Sequence, residues 1–131
     1  MMPDVNLIAI FVASAVAFVM GGFYYAILGR QLATVSETAA AGESMKPWQF
    51  AIELLRCIVL ATVVACLVSK TGADGWLDGL GLGLLLWVGF PLVLWVGAIV
   101  HERTPLKLAL IHGGDWLIKL PVIAVILSVW R

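Results

Sequence analysis

The chain has 131 residues, of which 63% are hydrophobic and only 12% carry a charge. Soluble domains have roughly 45–50% apolar and roughly 25% charged residues, so this composition excludes a water-soluble protein and indicates an integral membrane protein. Eight basic residues balance eight acidic residues, for a formal net charge of +0. Because there is no basic excess, we expect the lipid bilayer as the surroundings of the chain and no nucleic acid as its partner.

Four apolar runs are each long enough for the roughly 20 residues that a membrane-spanning helix needs. These runs, the first to fourth spans, cover residues 6–28, 48–69, 76–100 and 106–130. They predict an all-α integral membrane protein with one domain over residues 1–131 and four transmembrane helices in an up-down bundle. Because the turns at residues 70–75 and 101–105 are short, we expect the helices that flank each turn to pack as antiparallel neighbours.

Basic residues near the span ends predict the orientation, because cytoplasmic loops carry an excess of Lys and Arg. One side of the membrane has four of them, namely Arg30, Lys46, Arg103 and Lys107. The other side has two, Lys70 and Arg131. This distribution favours a protein with both termini outside the cytoplasm.

Small residues recur at a spacing of four in two of the spans. They are Ala9, Ala13, Ala17 and Gly21 in the first span, and Gly79 and Gly83 in the third. Such residues let helix backbones approach closely in lipid, so we predict helix-packing surfaces at these six positions. The alternative is an apolar helix that is simply rich in Ala and Gly.

Two prolines and two tryptophans mark the interior of the third and fourth spans. Pro91 and Pro121 each remove a backbone hydrogen bond, which predicts a bend in the third and in the fourth span. Trp87 and Trp95 lie eight residues apart in a repeated Leu-Trp-Val-Gly pattern. We interpret both rings as packing surfaces rather than as a ligand cage.

Five charged or titratable residues lie well inside the spans rather than in the loops or near the span ends: Glu53, Arg56, His112, Asp115 and Lys119. A charge at a helix centre costs about 2.5–3.5 kcal/mol in a membrane, so such residues normally face the bundle interior and pair. Their spacings of three and four residues place each set on one face of its helix. We therefore predict a buried polar cluster formed by these residues.

The depths of these residues predict their partners, because the second and fourth spans start from the same side of the membrane. At a rise of about 1.5 Å per residue, Arg56 and Asp115 lie about 12 Å and about 13 Å deep, and Glu53 and His112 about 8 Å and about 9 Å. We predict buried ion pairs between these spans, Arg56 with Asp115 and Glu53 with His112. Lys119 lies one turn deeper and can reach back to Asp115.

Other kinds of chemistry have little support in the sequence. His101 and His112 are eleven residues apart with no cysteine nearby, so we expect no metal site and no cofactor. Cys57 and Cys66 lie nine residues apart in one span and cannot pair with each other. The serines are isolated on apolar helices without a base to activate them, so we do not expect an enzyme.

Several motifs resemble a family of small bacterial four-helix membrane proteins, the domain of unknown function 1761 family. The residues that carry the resemblance are 21–25, 28–30, 87–90, the turn 101–105, 110–114 and Trp130. The resemblance implies a four-span topology and a multi-pass location in the bacterial inner membrane. It implies no established activity.

Two functions remain open for the buried cluster. In the first, the protein is a non-enzymatic structural or interaction protein, and its ion pairs fix the register of the second and fourth spans, with a homo-oligomer or another membrane protein as partner. In the second, the same charges serve a minimal proton- or ion-linked transporter or channel subunit. Because four short helices enclose little volume, we would expect that subunit to be oligomeric.

Overall fold

A computed structural model describes residues 5–36 and 46–130, and Arg131, used above for the orientation, lies outside them. Over the described residues the chain forms six α-helices. They are α1 (Leu7–Ile27), α2 (Gly29–Ala33), α3 (Pro47–Thr71), α4 (Gly75–Gly89), α5 (Pro91–Glu102) and α6 (Leu106–Val129). The prediction of an all-α protein with four spans is confirmed, since α1, α3, α4 with α5, and α6 are long and apolar enough to cross a membrane. Their ends lie within two residues of the predicted ones.

Local sequence explains where these helices begin and end. The Asn6 side chain accepts a hydrogen bond from the Ala9 N–H at 3.1 Å and caps the start of α1. Pro47 occupies the first turn of α3, where a missing N–H costs nothing. Gly72 ends α3 in the left-handed conformation, at φ 72°, which glycine adopts without strain.

The third span is interrupted in its middle, and the predicted bend at Pro91 is a break between two helices. Phe90 leaves helical geometry, with φ −122° and ψ −74°, and Pro91 begins α5. Pro91 has no N–H to donate to the carbonyl of Trp87, so the backbone hydrogen-bond series of the helix is interrupted at this point. Pro121, in contrast, lies within the continuous helix α6.

The centre of the bundle is α6, which packs against α1, α3, α4 and α5. Half of its most apolar stretch is buried inside the protein, against 11% for the third span. The expectation that each short turn joins packed neighbours is right for α5 and α6 and wrong for α3 and α4. Within the described residues, α4 packs along α6 and not along α3, because a turn fixes only where two helices meet.

The small residues of the spans lie in helix contacts, with one exception. Ala9, Ala13 and Ala17 are fully buried in α1. A Cβ placed on Gly79 would lie 2.7 Å from the Ala124 carbonyl oxygen, and one on Gly83 would overlap the backbone of Pro121, so α4 meets α6 backbone to backbone. Gly21 differs, since a Cβ there would meet no atom of the described residues within 4 Å. Among residues 5–36 and 46–130, no helix contact requires glycine at that position.

Candidate functional site

His112 and Asp115 of α6 face the end of α1, which supplies a tyrosine, and Lys119 follows on the same side of α6. His112, Asp115 and Lys119 lie about 9 Å, about 13 Å and about 20 Å from the start of α6. Tyr25 lies between them, with its hydroxyl 2.7 Å from His112 Nδ1 and 3.4 Å from Asp115 Oδ2. We call these four residues the α1–α6 cluster. It extends from near one end of the bundle to the middle of α6.

The deeper half of the cluster is a buried ion pair within α6. Lys119 Nζ lies 3.2 Å from Asp115 Oδ2, and both side chains are less than a tenth exposed. The ammonium also lies 5.0 Å from the centre of the Trp116 ring, a cation–π distance. One opposite charge and one aromatic face therefore replace the water that the ammonium loses on burial. The predicted contact between Lys119 and Asp115 is present.

The Tyr25 hydroxyl joins the ion pair to His112. It has one proton, so it donates either to His112 Nδ1 or to Asp115 Oδ2. When it donates to Asp115, its oxygen can accept a hydrogen bond from a protonated His112 Nδ1. The contact to His112 is of normal length, and the one to Asp115 is longer. Tyr25 is thus a donor and an acceptor placed between two titratable groups.

Aromatic rings of the third span hold the outer half of the cluster. The Trp95 ring stacks on the His112 ring, with centroids 5.3 Å apart and planes 11° apart. The Trp87 indole N–H donates to the Gly113 carbonyl at 2.9 Å. Because the break at Phe90 separates α4 from α5, both rings reach consecutive residues of α6. They are therefore part of the candidate site as well as packing surfaces.

A second tyrosine fixes α1 to the backbone of α6. The Tyr24 hydroxyl donates to the Ile111 carbonyl at 2.5 Å. A Cβ on Gly114 would lie 2.5 Å from this hydroxyl, so an alanine there would displace the hydroxyl from this position. At Gly113 a Cβ would meet only Trp95, at 4.0 Å. Of the two adjacent glycines of α6, Gly114 thus lies against the Tyr24 hydroxyl, whereas Gly113 has room for a larger side chain.

The prediction of ion pairs between the second and fourth spans is wrong. Among the residues that the structure describes, neither Arg56 with Asp115 nor Glu53 with His112 forms a pair. Arg56 Nη1 instead contacts Glu53 Oε2 of its own helix at 2.6 Å. The side chains of Arg56 and Glu53 are 60% and 31% exposed, so they do not join the cluster in the interior. The residue of α3 that faces the core here is Cys57, and Arg56 points about 100° away from it around the helix.

Between α3 and α6 lies a groove of about 430 Å³. Its polar lining comes from Glu53, Arg56 and Lys119, and Trp116 contributes an aromatic wall. The buried Lys119 is thus a member of the α1–α6 cluster and also lines this α3–α6 groove. Both sets of predicted charges border the groove, although they do not pair across it.

The sequence reasoning missed Tyr24, Tyr25, and the hydrogen-bonding and stacking roles of Trp87 and Trp95. The sequence did contain one indication that these tyrosines belong to the site. They end the first span on the side of the membrane where the fourth span begins, at the level of His112. As for metal ions, no three His, Cys, Asp or Glu side chains among residues 5–36 and 46–130 are grouped to hold one.

Comparison with known proteins finds a family model that matches nearly the whole chain. A family model described as "Protein of unknown function (DUF1761)" matches residues 8–128. The matched region contains the entire α1–α6 cluster and the α3–α6 groove. No curated protein and no solved structure shows a significant match to the chain.

Proposed function

This chain belongs to the DUF1761 family of proteins of unknown function, and from that premise and the cluster geometry we propose that it is a proton-linked transporter or channel subunit. It is a multi-pass membrane protein by its four apolar helices. We place it in the bacterial inner membrane, without an enzymatic reaction and without a cofactor. The proton is its substrate.

The observation that carries this proposal is the continuous series of contacts from His112 through Tyr25 and Asp115 to Lys119. Proton transfer needs donors and acceptors within hydrogen-bonding reach of one another. Ionisable residues inside a membrane are costly, and rows of Asp, Glu and His form the proton relays of pumps and transporters. The four residues meet both conditions.

The transfer can be written without an external reagent. A proton on His112 Nδ1 moves to the Tyr25 oxygen while the Tyr25 hydroxyl proton moves to Asp115. The protonated Asp115 then no longer neutralises Lys119, whose ammonium releases a proton into the α3–α6 groove. Asp115 gives its proton to the neutral Lys119 and restores the ion pair. The net result is one proton moved from His112 to the groove.

The direction of entry follows from the charges at the helix ends. Arg30, Lys46, Arg103 and Lys107 lie on the side of the membrane where α6 begins. The excess of basic residues favours the cytoplasm for that side, with both termini on the opposite side. His112 then faces the cytoplasmic end of the bundle. We further propose an oligomer, because the groove opens sideways and four short helices do not enclose a pathway.

Proton flux into liposomes tests the proposal through two adjacent tyrosines. The purified protein is reconstituted around a pH-sensitive dye, and a potassium gradient with valinomycin drives proton entry. Tyr25→Phe removes the hydroxyl between His112 and Asp115, and we expect the flux to fall about 10²-fold, as for loss of a proton-transfer group. Tyr24→Phe removes a neighbouring hydroxyl that bonds only to backbone, and it should conduct like the wild type.

The outcome that contradicts the proposal is equally specific. If wild-type liposomes take up protons no faster than empty ones, or if Tyr25→Phe conducts like Tyr24→Phe, the cluster does not carry protons. A second candidate, a non-enzymatic structural or interaction protein, would then be favoured. Its support is that Tyr24 and Tyr25 fasten α1 to α6, and that Asp115 and Lys119 pair with each other within α6.

A further inference from the structure

The α3–α6 groove is polar at one end and apolar at the other. Four residues of α3 that line it are Glu53, Arg56, Leu60 and Val63. Their spacings of three, four and three residues keep them within about 80° of one another around the helix, on the side that faces the groove. The two charged residues lie nearer the start of α3, and the two apolar residues lie deeper in the membrane. The groove therefore suits a molecule with one polar end and one apolar chain.

The polar end of the groove has more hydrogen-bond donors than acceptors. Within the described residues, the Arg56 guanidinium bonds only to Glu53, which uses one of its five N–H donors. Its side chain is 60% exposed, so the other donors are accessible. On the opposite wall, Lys119 has three N–H donors and contacts one carboxylate oxygen of Asp115. A carboxylate or a phosphate matches this set of donors, because a guanidinium binds both with paired hydrogen bonds.

Depth in the membrane favours a carboxylate over the phosphate of a phospholipid. Because α3 is about 38 Å long, Arg56 lies about 10 Å inside a hydrocarbon layer about 30 Å thick. Asp115, which holds the Lys119 ammonium, lies at a similar depth in α6. The phosphates of phospholipids lie in the headgroup region, outside this layer. A single-chain carboxylic acid can enter the layer, since protonation makes its head uncharged.

We propose that the α3–α6 groove binds a single-chain amphipathic carboxylate. The carboxylate accepts hydrogen bonds from Arg56 and Lys119, and the chain lies along Leu60 and Val63. The bound head supplies the acceptors that lipid tails lack. Because the groove opens sideways, the ligand enters from the bilayer.

This binding site does not depend on proton conduction, since Arg56, Leu60 and Val63 are not members of the α1–α6 cluster. A bound carboxylate is also compatible with the proposed transport, because it can accept the proton that Lys119 releases. In that step an N–H bond of Lys119 breaks, an O–H bond forms on the ligand, and the ligand leaves as the uncharged acid. Binding without proton flux would refute only the proposed transport, and flux without binding would refute only this site.

Displacement of radiolabelled dodecanoate from the purified protein in a maltoside detergent tests the site. Unlabelled dodecanoate should displace the label completely from protein held on scintillation beads. Dodecanol has the chain without the charge, and acetate has the carboxylate without the chain, so each should compete at least about tenfold less well. Phosphatidylglycerol in the same micelles should compete no better than dodecanol.

Two neighbouring charges of the groove should change the affinity for dodecanoate in opposite directions. Arg56→Gln removes the guanidinium donors and should weaken binding at least about tenfold. Glu53→Gln removes the negative charge beside the proposed carboxylate site and should strengthen binding roughly twofold or more. The matched control is Arg103→Gln, which changes an exposed arginine outside the groove and should bind like the wild type.

The apolar end of the groove has its own pair of variants. Val63→Trp fills the space proposed for the chain and should weaken binding at least about tenfold. Ile52→Trp adds the same ring at an exposed position of α3 outside the groove and should have no effect. Equal competition by dodecanol or phosphatidylglycerol would overturn the proposal, as would an Arg56→Gln variant that binds like Arg103→Gln. If Arg56→Gln does not fold, equal binding by Val63→Trp and Ile52→Trp would overturn it.

Discussion

An alanine at Gly79 tests the backbone contact between α4 and α6 on which the position of the third span depends. The new Cβ would lie 2.7 Å from the Ala124 carbonyl oxygen, 2.7 Å from Val125 Cα and 2.9 Å from Ser128 Oγ. Carbon atoms pack at about 3.5–4.0 Å, so α4 must move away from α6 by about 1 Å. Backbone atoms cannot rotate aside as a side chain can. Overpacking of this kind costs about 1–3 kcal/mol of folding free energy.

Gly81 is the matched control on the same helix. A Cβ there meets no atom within 4 Å, so Gly81→Ala changes only the helix preference and should stabilise the protein by about 0.5–1 kcal/mol. Because the same preference acts at Gly79, the difference between the two variants isolates the packing contribution. We expect Gly79→Ala to be about 1–3 kcal/mol less stable than Gly81→Ala.

Equilibrium unfolding in mixed micelles, with sodium dodecyl sulfate as denaturant and tryptophan fluorescence as signal, measures this difference. Trp87 also reports the displacement, because its indole N–H bonds to α6 from the same helix. If Gly79→Ala and Gly81→Ala unfold with the same free energy, α4 does not approach α6 as closely as described. The contact would then not be the reason for glycine at position 79.

Two further predictions concern the contact between α1 and α6 and use the same unfolding measurement. Gly114→Ala displaces the Tyr24 hydroxyl from its carbonyl partner and should cost about 0.5–1.5 kcal/mol more than Gly113→Ala, where a Cβ has room; equal stabilities would contradict the contact. Asp115→Asn leaves the Lys119 ammonium buried without a counter-charge and should cost about 3–5 kcal/mol. Asp115→Leu with Lys119→Met removes both charges and should recover most of that loss; a double variant as unstable as Asp115→Asn would show that the pair is not the cause.

Depth along a helix could be predicted from the sequence, but rotation about the helix axis could not. Hydropathy located the four spans, and the spacings of three and four placed His112, Asp115 and Lys119 on one face. The matched depths of Arg56 and Asp115 were consistent with a pair. Their pairing also requires that both residues face the same interface. The buried residues of α3 begin at Cys57, one residue after Arg56, so Arg56 itself does not face the bundle interior.

The aromatic half of the site was difficult to predict for a different reason. Tyr25 and Trp95 lie in apolar runs, where aromatic rings are expected on packing grounds alone. Their roles depend on which polar atoms lie opposite, and the break at Phe90 decides this for Trp95. The packing of α4 on α6 was equally difficult to predict. A short turn limits the distance between the ends of two helices, but it does not determine which helix each one packs against along its length.

The pairing of charges within single helices has a consequence for how the protein enters the membrane. Glu53 with Arg56, and Asp115 with Lys119, are each separated by no more than one turn of the same helix. The central parts of α3 and α6 can therefore each leave the translocation machinery without an unpaired charge. Ion pairs between different helices would have required an unpaired charge to wait in the bilayer for its partner. In this chain the last span, α6, brings its own counter-charge, and assembly of the bundle can follow insertion.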